Sequence, residues 1–92
     1  MQSLSFSDLH ELVQQNLVGF LRIEVDLATT FCGMAERAES PARREKLVGD
    51  LRKAVDAIRH FSGRVQDAPT RTKLSKSADK LEEMISRIGS GT

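Results

Sequence analysis

A heptad pattern of apolar residues in the middle of the chain constrains the fold more than any other feature. From Leu47 to Val65 the spacing alternates between four and three residues without a break. In a helix of 3.6 residues per turn, this spacing places all of these side chains on one face. That face is removed from water only where another helix packs against it. The chain is therefore predicted to be all-α. The residues of the pattern are Leu47, Leu51, Ala54, Ile58, Phe61 and Val65.

Three helices are predicted, and the apolar pattern lies in the second of them. The first covers residues 5–39, with Ser5 as its N-cap. The second covers 41–66, because Ser40 can cap it and proline suits its first position. The third covers 71–88 and repeats the four-three spacing, and residues 89–92 are expected to be a flexible tail. We expect a single domain, an up-down-up three-helix bundle with a long first helix.

Residues 21–27 also fit a different structure. Apolar and charged residues alternate there, which is typical of a half-buried strand. The chain contains no second alternating segment that could pair with it, and an unpaired strand would leave its backbone groups unsatisfied. The helix is therefore favoured over the strand.

The predicted first helix is longer than its neighbour, at about 50 Å against about 38 Å. The short turn makes the two helices antiparallel, so the second should lie against Phe20, Leu27 and Phe31. Either the first helix bends at a glycine, Gly19 or Gly33, or its apolar N-terminal part needs cover. We expect the cover to come from a homodimer contact. The residues predicted for this surface are Leu12, Val13, Leu17 and Phe20.

Composition excludes several classes of protein. The net charge is +1, although residues 1–40 carry −4 and residues 41–92 carry +5. The single cysteine, Cys32, rules out a disulfide framework, and it is expected to be a buried thiol. No apolar run reaches the roughly 18 residues of a membrane span, and the N-terminus lacks the pattern of a secretory signal. We expect a cytoplasmic protein without a membrane segment.

Residues suited to catalysis or to metal binding are scattered. His10 and Glu11, with Gln14 or Glu24, lack the spacing of a metal site, so no metal and no cofactor are predicted. Glu24 falls among apolar positions of the helical wheel and is expected to be partly buried. A basic residue of the second helix, Arg52, Lys53 or Arg59, is expected to pair with it. No catalytic residue is predicted, so the protein is not expected to be an enzyme.

Two alternatives involve charged residues near the second turn. The segment from His60 to Arg64 resembles the His-x-x-Lys-Gly motif of histidine phosphotransfer domains, and it implies a phosphorylated His60 with Arg64 as the neighbouring cation. A basic series between residues 59 and 80 would instead bind an anionic polymer such as nucleic acid, which the few aromatic residues disfavour. The series comprises Arg59, Arg64, Arg71, Lys73, Lys76 and Lys80.

The segments Met34–Ala38 and Lys53–Phe61 carry a further resemblance. Together they resemble the helical hairpins of small uncharacterised bacterial proteins and, more distantly, tetratricopeptide hairpins. The resemblance covers about a third of the chain and implies a helix pair that binds other proteins, with no functional residues carried over. The leading hypothesis is a non-catalytic interaction or scaffold module with an unknown protein partner.

Overall fold

Three helices make up the computed structural model, which describes residues 5–90. They are α1 (Phe6–Glu36), α2 (Pro41–Ser62) and α3 (Ala68–Ser90), and each packs against the other two. The predicted all-α, three-helix architecture is confirmed. Residues 21–27 lie within α1, and the described part of the chain contains no strand, so the strand alternative for this segment is wrong.

The start of α1 is fixed by a capping box. The Ser5 hydroxyl accepts a hydrogen bond from the Asp8 N–H at 3.1 Å, and the Asp8 carboxylate accepts one from the Ser5 N–H at 3.3 Å. Two of the donors that a helix start leaves free are satisfied in this way. The helix continues for 31 residues and ends at Glu36, before the predicted residue 39. Residues 37–40 form the turn, because Pro41 disfavours helical geometry in the residue before it.

The start of α2 agrees with the prediction, and its end does not. The Ser40 hydroxyl accepts a hydrogen bond from the Arg43 N–H at 3.4 Å, and Pro41 occupies the first turn. The helix ends at Ser62 rather than at residue 66. The Val65 N–H donates to the Ser62 carbonyl at 3.1 Å, a tighter turn that folds Val65 back into the core.

The third helix begins at Ala68, three residues earlier than predicted. The Asp67 carboxylate accepts hydrogen bonds from the Thr70 hydroxyl and from the Thr70 N–H, the latter at 3.1 Å, and these bonds lower the pKa of Asp67. Pro69 therefore lies in the first turn of α3, where its missing N–H costs nothing. The helix reaches Ser90. Part of the predicted tail is thus helical, and residues 91–92 lie outside the described residues.

Contacts at the two ends of the hairpin show that α1 and α2 run antiparallel. Near the first turn, the Arg44 guanidinium donates to the Ala38 carbonyl at 2.9 Å. At the opposite end, the Gln14 side chain donates to the Arg64 carbonyl at 3.1 Å. The Gln14 side chain also accepts a hydrogen bond from the Gln66 N–H at 2.9 Å, which clamps the second loop to α1.

The core contains a main cluster and a smaller one. The smaller cluster joins Leu21, Val65 and Leu74 near the second loop. Leu47, Ala54 and Phe61 of α2 are only half-buried. Val55 takes a central position instead. The apolar residues that repeat at four-three spacing in the third helix are all buried: Leu74, Ala78, Leu81, Ile85 and Ile88. The main cluster consists of Ala28, Cys32, Ala35, Leu51, Val55, Ile58, Ala78, Leu81, Ile85 and Ile88.

Candidate interaction surface

One face of α1 carries a stripe of exposed apolar side chains, which we call the outer stripe. Its members are between 45% and 88% exposed, although each is large enough to add substantially to a core. An exposed apolar area of this extent commonly marks an interaction site. The outer stripe consists of Phe6, Leu9, Leu12, Val13, Phe20, Ile23 and Leu27.

The inner face of the same helix is also apolar, and it forms the α1 side of the core. Leu21, Ala28, Cys32 and Ala35 are buried there against α2 and α3. Two bundle neighbours can cover only one face of a helix. The outer stripe is therefore left without cover among the described residues.

The structure divides the four residues predicted for the interaction surface. Leu12, Val13 and Phe20 belong to the outer stripe. Leu17 is half-buried and packs against the cluster around Leu21. Leu27, which was predicted to lie against α2, is 46% exposed and belongs to the outer stripe.

Aromatic contacts form the border between the outer stripe and α2. The Phe20 and Phe61 rings meet edge to face with their centroids 6.2 Å apart. The guanidinium of Arg64 lies 5.4 Å from the centre of the Phe61 ring, within the range of a cation–π contact. The apolar surface of α1 thus meets a cation at the edge of α2.

The first turn of α1 extends beyond the rest of the bundle. His10 Nε2 and Gln66 Oε1 lie 2.7 Å apart, so the second loop is level with His10 and Gln14. Phe6 is one turn further along the helix and is 88% exposed. The overhanging turn adds to the uncovered apolar area.

His60 lies on the exposed side of α2, where its imidazole meets the Phe61 ring edge to face at 4.9 Å. Arg64 contacts the same ring. The two residues of the phosphotransfer hypothesis therefore share one aromatic neighbour. The His, Cys, Asp and Glu residues within 5–90 form no group of three positioned to hold a metal ion.

Several cations of the basic series have partners inside the protein. The Arg59 guanidinium binds Asp79 at 2.8 Å and Glu82 at 2.9 Å on α3, and hydrogen bonds to Glu82 and Asp79 raise the pKa of Arg59. The guanidinium of Arg71 donates to the Val65 carbonyl at 2.8 Å. These contacts connect elements of the bundle, and the two carboxylates paired with Arg59 reduce the positive charge that it offers to an external anion.

Glu24 is half-buried, and no ion pair within residues 5–90 includes it. Arg59, one of its three predicted partners, is bound to α3 instead. Cys32 is a fully buried free thiol, as predicted, and burial together with the nearby Glu36 carboxylate raises its pKa. A thiol in this state is a poor nucleophile.

The sequence analysis missed Ile23 and Leu27 as surface residues, although a signal for them was present. Phe6, Leu9, Val13, Phe20, Ile23 and Leu27 follow alternating three- and four-residue steps if Asn16 is counted between Val13 and Phe20. This second stripe has the same periodicity as the one on α2. Its exposure depends on the tertiary structure.

Comparison of the chain with family models, with curated proteins and with solved structures yields no match. Within the described residues, no helix is both long enough and apolar enough to cross a membrane.

Proposed function

We propose that this protein is a non-catalytic helical interaction module and that the outer stripe is its binding surface. The exposure of seven large apolar side chains along one helix carries the proposal. A helix of this kind binds by laying its apolar face against another helix or into a groove. The overhanging first turn extends the available surface beyond the module's own hairpin.

We further infer that the module works as a homodimer. The outer stripe has seven side chains, each about half exposed or more. At roughly 150–200 Å² for a large apolar side chain, it offers about 600–800 Å² per copy. Two copies would bury about 1,200–1,600 Å², which lies in the lower part of the range of stable interfaces. The cytoplasm is the proposed compartment, because a reducing environment suits a protein whose one cysteine is a free thiol.

Sedimentation equilibrium on three proteins tests the dimer. The unaltered chain should have twice the monomer mass of 10.2 kDa. Ile23→Glu should be a monomer, since Ile23 is 60% exposed and a charge there opposes burial in an interface. Gln15→Glu adds the same charge at another exposed position of α1 and should remain a dimer. A monomeric unaltered chain, or equal association of both variants, would refute the proposed interface.

A phosphotransfer module remains the alternative hypothesis, and the exposed imidazole of His60, which contacts the same Phe61 ring as Arg64, favours it. An accessible imidazole near a cation meets the first physical requirement for a phosphorylated histidine. Incubation with a small phosphodonor, followed by mass spectrometry, should then show an acid-labile phosphate that His60→Gln lacks. Absence of the label in the unaltered chain would eliminate this hypothesis.

Binding of nucleic acid through the basic series is the other alternative. Lys73, Lys76 and Lys80 are exposed on α3 and would supply the contacts to phosphate. Binding of this kind weakens steeply as salt concentration rises. A gel-shift series in increasing salt, with Lys76→Glu as the comparison, measures it directly. No shift at low salt would eliminate this alternative.

A further inference from the structure

We propose that two copies of this chain pair through the outer stripe with their α1 helices parallel and in register. This inference rests on the proposed homodimer and specifies its geometry. The occupant of the outer stripe is then the outer stripe of a second copy. Two features of the surface favour this arrangement: the placement of its polar residues and the position of Arg64.

All residues of the outer stripe except Leu12 belong to a heptad seam that runs along most of α1. Alternating steps of three and four continue through exposed Thr30 to half-buried Met34. A sustained seam of this spacing is the requirement for a two-stranded coiled coil. The seam positions are Phe6, Leu9, Val13, Asn16, Phe20, Ile23, Leu27, Thr30 and Met34.

Two polar residues, Asn16 and Thr30, interrupt the seam. Parallel, in-register pairing places Asn16 against Asn16 of the second copy, where the two amides can hydrogen-bond to each other. An antiparallel pair in which Phe6 meets Thr30 places Asn16 against Phe20, so that the buried amide has no polar partner. An unsatisfied buried amide costs about 1–3 kcal/mol, which favours the orientation that pairs the two amides.

The position of Arg64 supports the same orientation. Its carbonyl is hydrogen-bonded to Gln14, and its guanidinium lies over Phe61, whose ring contacts Phe20 of the outer stripe. The antiparallel pair just described has its centre at residue 18, close to this level. It also places the α2 helices of both copies on the same side of the α1 pair. The two Arg64 cations then come close together and repel each other.

The parallel pair avoids this repulsion, because its twofold axis runs along the helices and the two α2 helices lie on opposite sides. The overhanging first turns then lie side by side at one end of the dimer. Phe6 and Leu9, which their own bundle leaves exposed, cover their counterparts in the second copy.

Disulfide cross-linking distinguishes the two orientations. Thr30→Cys is made alone and in a Cys32→Ala background. The natural thiol is buried and should not cross-link, and the second background removes it altogether. In a parallel pair the two introduced cysteines face each other at a separation that a disulfide can span. In the antiparallel pair, they are separated by about 36 Å along the helix axis. Leu9→Cys in the same background provides a second position on the seam, and in the antiparallel pair the two introduced cysteines would be about 27 Å apart along the helix axis.

Mild oxidation should convert most of the Thr30→Cys protein, and most of the Leu9→Cys protein, into a covalent dimer. The Cys32→Ala protein without an added cysteine should stay uncross-linked, as should Thr30→Cys combined with Ile23→Glu. A dimer in sedimentation whose Thr30→Cys form does not cross-link would overturn the parallel arrangement and leave the homodimer intact. A monomer in sedimentation would instead overturn the homodimer.

Discussion

Leu21 and Leu27 are the same residue type on the same helix, and truncating each to alanine should have very different consequences. Leu21 is fully buried in the cluster with Val65 and Leu74, whereas Leu27 is 46% exposed on the outer stripe. The two positions are six residues apart, which turns their side chains about 120° from one another around the helix. Comparing the two variants measures the inner and outer faces of α1 separately.

The expected magnitudes follow from the burial of each side chain. Leu21→Ala removes three buried carbon atoms and leaves a cavity, so the free energy of unfolding should fall by about 3 kcal/mol. A chain of this length is stable by roughly 5–14 kcal/mol, so the loss is a large share of the total. Leu27→Ala should cost only about 1 kcal/mol in the monomer, because about half of the side chain is already in water.

Urea unfolding followed by circular dichroism, at one protein concentration below dimer formation and one above it, provides the assay. Leu21→Ala should lower stability by a similar amount at both concentrations. Leu27→Ala should cost more at the high concentration, where the proposed interface covers the rest of its side chain. An equal loss for both variants at the low concentration would refute the division of α1 into an inner and an outer face.

Three other predictions test separate features. Gly49→Ala should raise the free energy of unfolding by about 0.5–1 kcal/mol, since the added methyl group in the middle of α2 has no atom within 4 Å apart from its chain neighbours and the backbone of its own helix, and a urea melt measures it. Cys32 should react with a thiol reagent slowly in the native protein and rapidly in urea, because it is buried with a raised pKa, and rapid native labelling would contradict its burial. The hydrogen bond from Arg59 lowers the pKa of Glu82 below its ordinary value of 4.5. The Glu82–Arg59 contact therefore stabilises the folded protein fully above about pH 4.5, and this stabilisation is lost as the pH falls through the lower pKa of folded Glu82. Glu82→Gln should therefore show less acid destabilisation in a pH series of melts than the unaltered chain.

Helix starts were predictable because their causes are local. Ser5 and Ser40 cap helices through bonds to residues three positions away, and Pro41 suits a first turn in any context. The start of α3 was predicted too late for a reason that is also local. Pro69 indicated a break, but the Asp67 cap allows it to lie inside the first turn.

Pairing between helices was predicted less well. Glu24 was expected to pair with a cation of α2, yet Arg59 binds Asp79 and Glu82. A pair between Arg59 and Glu24 and a pair between Arg59 and the carboxylates of α3 are both compatible with the order of charges along the chain. The register of α3 against α2 decides between them, and that register depends on the packing of the whole core at once.

By itself, the sequence determined that the chain is helical, where its first two helices begin and that each helix has an apolar face, because spacing and capping act within one or two turns. Only the tertiary structure decided which apolar face of α1 enters the core. Both faces satisfy the same periodicity, and α2 and α3 can cover just one of them. Leu21 is therefore buried while Ile23 and Leu27 are left exposed, and this asymmetry provides the proposed interaction surface.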